Sequence, residues 1–187
     1  GPQHWWPAQS RFEVIVGAFL TQNTSWSNVE LAMQQLRTAR VLSVSGIREI
    51  EITKLEKLVR SSGYFRQKAQ RLKNFVRFLD ASYRGSLTRM FSQSTDKLRQ
   101  ELLSLNGIGP ETADSILLYA GQHSVFVVDA YTRRIATRHK IADDEASYDE
   151  LRNIFERALE QISVPHTRGN FLPDGASHPP SRMSLAK

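Results

Sequence analysis

Apolar residues recur along this chain at the spacing of a helix and almost nowhere at that of a strand. Phe12, Ile15, Val16, Phe19 and Leu20 follow an i, i+3, i+4, i+7, i+8 pattern, and Phe65, Leu72, Phe75, Val76 and Leu79 share one helical face. Thr95 or Asp96 is expected to cap a helix through Leu98, Leu102, Leu103 and Leu105. Pro110 suits the first turn of the next helix, with Thr112, Ile116, Leu117 and Tyr119. Asp129 is placed to cap "AYTRRIATRH", and a last helix is expected from Tyr148 to Gln161 on Leu151, Ile154, Phe155 and Leu159. "HSVFVVD" reads as a short extended stretch without a partner strand. These periods predict an all-α fold over residues 1–163. From Val164 to Lys187 four prolines and two glycines replace any apolar period, so 164–187 reads as a mobile tail or insertion.

The 187 residues carry a net charge of +6, which favours an anionic partner. Seven basic residues (Arg66, Lys68, Arg71, Lys73, Arg77, Arg84, Arg89) lie between Ser61 and Thr95 against one acid, Asp80. That pattern fits either a nucleic-acid face or an ordinary solvated helix face. With no cysteine, these residues can form no disulfide, thiolate metal site or cysteine-ligated iron–sulfur cluster. The longest apolar run, Val14 to Leu20, is far too short to cross a bilayer. Gly1-Pro2 reads as a protease-cleavage remnant, and the expected location is the cytosol, without membrane partners.

Between two expected helices stands "LNGIGPETAD", Leu105 to Asp114. Gly107 and Gly109 permit positive φ and close approach of another chain, and Pro110 starts the next helix. The turn and helix start offer unpaired backbone N–H groups at the positive end of the helix dipole, suited to phosphate. The turn alone is also compatible with an ordinary helix connection.

Four motifs occur in one order: "FEVIVGAFLTQNT" (Phe12 to Thr24), "SGYFRQKAQRL" (Ser62 to Leu72), "NGIGPET" and "VFVVDAYTRR". Together they resemble the helix–hairpin–helix DNA glycosylases of the endonuclease III superfamily, over about Trp5 to Gln161. The "WWP", "LTQNT", "SGYFRQKA" and "GPETADSILLYA" segments look like the 3-methyladenine DNA glycosylase III type. The resemblance implies a helical barrel domain, with the helix–hairpin–helix at 96–122, plus a smaller helical part from the N- and C-terminal segments. It implies a monomeric enzyme of base excision repair acting on double-stranded DNA in the bacterial cytosol or nucleoid.

The resemblance also implies roles for individual residues. Asp129 would stabilise the oxocarbenium-like sugar and orient or deprotonate water. Trp26, Trp6 and Trp5 would line the pocket for a flipped cationic base. Gln22 would fill the gap in the stack and Tyr64 would wedge the opposite strand. Gly107, Ile108, Gly109 and Thr112 would hold phosphate in the hairpin, with Lys68, Arg71, Arg133 and Arg138 as basic phosphate contacts. A monovalent cation, Na or K, would sit at the hairpin carbonyls. Bifunctional relatives carry an imine-forming lysine where this chain has Glu111, and a carboxylate cannot form that imine. The adenine-mismatch branch carries a glutamate where Gly17 aligns, so a leaving group that needs no protonation is expected, such as 3-methyladenine. The C-terminal helix that closes the base pocket in such enzymes has no counterpart after Gln161. The alternatives are a glycosylase for another damaged or mismatched base and a non-catalytic helix–hairpin–helix binding module.

Overall fold

A computed structural model describes residues 8–163, with side chains through residue 159. Trp5, Trp6 and the 164–187 segment lie outside the described residues. The chain folds as α1 (Arg11–Leu20), α2 (Trp26–Thr38), α3 (Val44–Glu49), α4 (Ile52–Leu58), a 3₁₀ turn (Arg60–Ser62), α5 (Phe65–Tyr83), α6 (Leu87–Phe91) and α7 (Thr95–Leu103). Then come α8 (Pro110–Ser115), a π-helical turn (Ile116–Ala120), α9 (Ala130–Arg138) and α10 (Tyr148–Ser163). No strand occurs among the described residues, and residues 122–129 form no regular element.

Helix α1 sits at the centre. Ile15, Val16, Phe19 and Leu20 are essentially inaccessible to solvent, and Phe75 of α5 meets Phe19 edge-on at 5.8 Å. Ser10 caps α1 by accepting the Glu13 N–H, and the Glu13 carboxylate takes the Gln9 N–H in return. A core around α1 draws on the first eight helices and the π turn. A second, smaller core joins Val128, Ala136 and Leu151, with Phe126 stacked on Phe155 at 4.7 Å. Helix α7 begins one residue earlier than a Thr95 cap implies and two earlier than an Asp96 cap implies: Ser94 holds the N-cap position, and Thr95 instead pairs its hydroxyl with His123 Nδ1 at 3.0 Å.

Candidate nucleic-acid interface and catalytic site

The hairpin divides its work between two glycines. Gly107 has φ of +85°, which disfavours any other residue, and a Cβ there would stand 2.0 Å from Nε of Arg71, so that a larger residue would also displace the arginine. Gly109 has an ordinary φ of −91°, and a Cβ there would meet nothing within 4 Å. That second glycine leaves an open approach to the backbone. The first bond of α8 runs from the Ala113 N–H to the Gly109 carbonyl at 2.9 Å, and no side chain caps the helix. The amides of Gly109, Glu111 and Thr112 ahead of that bond therefore face a position suited to an anion. Ile108 is a correction: its side chain is buried and its N–H is taken by the Leu105 carbonyl at 3.1 Å, so it offers phosphate no donor.

A cleft of about 620 Å³ lies against this hairpin, lined by Thr21, Gln22, Asn23, Glu111, Thr112 and Tyr148 among others. Gln22 does not project from it. Its amide donates to the Gly107 carbonyl at 3.0 Å and to the Thr112 hydroxyl at 2.9 Å, and its oxygen accepts from Arg71 at 2.6 Å. The residues that do project are Asn23, exposed with φ of 53°, and Tyr64, 66% exposed with φ of 43°. Left-handed backbone at a bulky aromatic residue costs on the order of 1–3 kcal/mol and clusters at functional sites. A cation at the hairpin would have to share carbonyls already in use, since Leu105 accepts Ile108 and Gly107 accepts Gln22.

Of the four basic residues expected to contact phosphate, Lys68, Arg71 and Arg133 turn inward. Lys68 is a correction: only 1% exposed, it donates to the Leu20 carbonyl at 2.8 Å and to the Ser62 carbonyl at 2.5 Å. Burial lowers its pKa to about 8. Arg71 is held by Gln22, and Arg133 donates to the Ala146 carbonyl at 2.5 Å, so both brace the protein itself. Elsewhere in the same charge-rich segment, Lys73 binds the carbonyls of Arg48 and Ile50, while Asp80 forms a paired bond with Arg48. Arg138 is the exposed member of the four predicted contacts. Arg66, not among them, is exposed two residues after Tyr64 and lines a groove of about 560 Å³ with Gln67, Gln70 and Asn106 beside the hairpin. Its place two residues after Tyr64 in the basic segment is the signal the sequence offers.

Asp129 is half-buried at the start of α9, and its Oδ1 accepts the Thr132 N–H at 2.7 Å. That leaves Oδ2 for other work. Partial desolvation and then the Asp129 charge raise the Glu111 carboxyl above its ordinary range, and the same two causes raise Tyr119. Asp129 therefore stands within electrostatic reach of both the residue in the lyase position and the π turn. Such turns occur often at functional sites.

Trp26 lies on the other side of α1. It lines a pocket of about 360 Å³ with Ala8, Glu13, Gly17, Glu30 and Arg37, and its indole N–H donates to Glu30 at 2.9 Å. Although position 17 bears no acid, Glu13 brings a carboxylate to the same pocket from one turn earlier. One of its oxygens accepts Arg37 at 2.7 Å and Gln9 N–H at 3.1 Å. Among the described residues no group of three or more acids and histidines could hold a metal ion.

Residues 16–161 match the HhH-GPD superfamily of base excision DNA repair proteins. MJ1434 of Methanocaldococcus jannaschii, whose name assigns it provisionally as a DNA repair glycosylase, is 48% identical over 161 residues, covering 85% of this chain and 73% of that protein. The crystal structure of Helicobacter pylori 3-methyladenine DNA glycosylase bound to 1,N6-ethenoadenine superposes with a TM-score of 0.76 at 34% identity, over 87% of this chain and 75% of that one. A trapped endonuclease III–DNA covalent intermediate shares the fold, with a TM-score of 0.68 at 21% identity over 80% and 66% of the two chains. A hairpin with an open helix start, a capped aspartate beside it and these likenesses agree: the chain belongs to the HhH-GPD superfamily of base excision DNA repair proteins, the helix–hairpin–helix DNA glycosylases.

Proposed function

We propose that this protein is a monofunctional DNA glycosylase that removes alkylated purines such as 3-methyladenine from double-stranded DNA and leaves the strand uncut. The observation that carries this reading is the Asp129–Glu111 pair: a carboxylate at the start of α9 within electrostatic reach of a second one where strand-cutting relatives place lysine. The hairpin amides grip the backbone, Tyr64 wedges the opposite strand, and Gln22 enters the gap by exchanging its three protein contacts for base edges. The everted purine bears positive charge, which suits Trp26 with the Glu13 and Glu30 carboxylates in its pocket. The bond from C1′ to the base nitrogen breaks, and its electron pair leaves with the base, neutralising the base's charge. Water adds its oxygen to C1′ and gives its proton to Asp129 or solvent. Asp129 stabilises the cationic sugar between these events. The similar Helicobacter pylori enzyme is a 3-methyladenine DNA glycosylase and is bound to the modified purine 1,N6-ethenoadenine. A monovalent ion at the hairpin would serve phosphate binding alone.

Incubation with methylated duplex DNA, followed by chromatography of released bases, tests the reading. Release of 3-methyladenine or 7-methylguanine with intact strands until alkali is added supports it. Release of an oxidised or mismatched base instead would reassign the substrate, strand nicking would overturn the monofunctional assignment, and binding without any release would leave a clamp module. Glu111→Lys is expected to introduce some strand nicking with a borohydride-trappable imine.

A further inference from the structure

The irregular segment leading into Asp129 has no strand beside it among the described residues, so its backbone N–H groups need other acceptors. Two of them find side chains of α10. The Val128 N–H donates to the Tyr148 hydroxyl at 3.2 Å, and the Phe126 N–H donates to Glu156 Oε1 at 2.9 Å. Tyr148, Arg152 and Glu156 recur every four residues, so they share one face of the helix. That face is also fastened to the hairpin. Arg99 of α7 donates to Asp114 of α8 at 2.7 and 3.2 Å and to Asp149 of α10 at 2.8 Å. Asp114 is wholly buried, with Arg152 at 3.8 Å, and Arg152 meets Glu156 at 3.2 Å. Tyr148 itself lines the cleft against the hairpin. Burial raises its phenol, and the Asp114 carboxylate adds to that rise against the opposing Val128 N–H and Arg99, so it stays a neutral hydroxyl at any ordinary pH.

On the glycosylase reading above, the geometry points to Tyr148 as a positioning residue: its hydroxyl holds the Val128 peptide, and through it sets Asp129 at a fixed distance from the phosphate clamp. Nothing in the reaction passes through Tyr148. Its role is to keep the aspartate where the sugar arrives when the hairpin grips the strand. Misplacing a reacting group by about 1 Å costs on the order of a hundredfold in rate. The hydroxyl is the one atom of Tyr148 that this role needs, since the ring alone can fill the space beside Val128.

The test compares the full chain with Tyr148→Phe, reading single-turnover base release from methylated duplex, affinity for the duplex, and hydrogen exchange at the Val128 amide. Expected are release slowed by about ten- to a hundredfold, an unchanged final yield of released base, unchanged affinity, and Val128 exchange faster by about tenfold or more. Glu156→Gln, which keeps an acceptor oxygen for Phe126, is expected to retain more of the rate than Glu156→Ala. Release at the unmodified rate in Tyr148→Phe overturns the proposal. So does slowing matched by lost affinity or reduced yield, which would mark a structural role only. If the unmodified protein releases no base at all, the glycosylase reading fails by itself. Val128 exchange then decides the hold: acceleration supports it, and no change overturns it.

Discussion

Because Oδ1 of Asp129 already accepts the Thr132 N–H at 2.7 Å, two substitutions separate its structural duty from the chemical one proposed for it. Asp129→Asn keeps an acceptor oxygen for the cap and removes the charge. Single-turnover base release is expected to fall by about a hundred- to a thousandfold with an unchanged melting temperature. Asp129→Ala should lose as much activity and in addition about 0.5–2 kcal/mol of stability, read by denaturant unfolding, because the cap goes too. Glu111 gives a pH-dependent counterpart. Its folded pKa is raised, so the folded state binds that proton more tightly than the unfolded chain, and its contribution to stability is lost as pH rises through the carboxyl range. Glu111→Gln lacks this loss, so the stability difference between the two proteins should favour the variant more at neutral pH than in acid, as paired denaturant titrations would show. Asp129 was legible in the sequence because capping is a local matter of one side chain and the next turn. Lys68 and Arg133 were not, because a long cationic side chain reads the same whether its end meets water or a carbonyl from a distant element.

Two loops that face the proposed strand are tied by one ammonium group: Lys68 of α5 joins the last carbonyl of α1, ahead of Gln22 and Asn23, to the Ser62 carbonyl, ahead of Gly63 and Tyr64. Lys68→Met would fill similar space and leave both carbonyls without this donor, which costs about 1–3 kcal/mol for each buried group left unpaired. The charge itself works against folding. A fall from 10.5 to about 8 corresponds to about 3 kcal/mol at neutral pH. Between those two values the unfolded chain binds more protons than the folded one, so stability from this group rises with pH across that window. The unmodified protein should therefore gain stability relative to Lys68→Met between pH 8 and pH 10. A difference independent of pH would show that the amine is not buried as a cation. The helices were readable from their apolar periods and the hairpin from its turn chemistry, both short-range signals. The switch from α to π winding at Ile116–Ala120 was not, because the register of a helix's last turn depends on what packs around it: a Cβ at Gly121 would stand 2.6 Å from the Phe91 ring, and the His123 N–H reaches back to the Leu117 carbonyl at 3.0 Å.

The molecule holds a large core around α1 and a small one in which Val128, Ala136 and Leu151 are the buried apolar residues. So few buried side chains cannot outweigh the chain entropy of ordering α9 and α10, so these helices must borrow stability from the rest of the protein. The buried Asp114, set between Arg99 of α7 and Arg152 of α10, is where that stability crosses. Here the hairpin helices and the last helix meet, and the sequence could not foretell it because the partners lie 15 to 50 residues apart. Asp114→Asn keeps shape and removes the charge both guanidinium groups face. Breaking a buried pair costs up to about 3–5 kcal/mol when the remaining charge is left alone, and less here because Arg99 keeps Asp149 and Arg152 keeps Glu156. Unfolding of the unmodified protein is expected to be a single cooperative transition. In Asp114→Asn, hydrogen exchange should accelerate across residues 126–159 well before the core around α1 opens, and base release should fall in step with that local opening, while the isolated hairpin contacts still bind duplex DNA weakly. Uniform acceleration across every helix would mean instead that the two cores share one fate, and that Asp114 stabilises the fold without linking the phosphate clamp to Asp129.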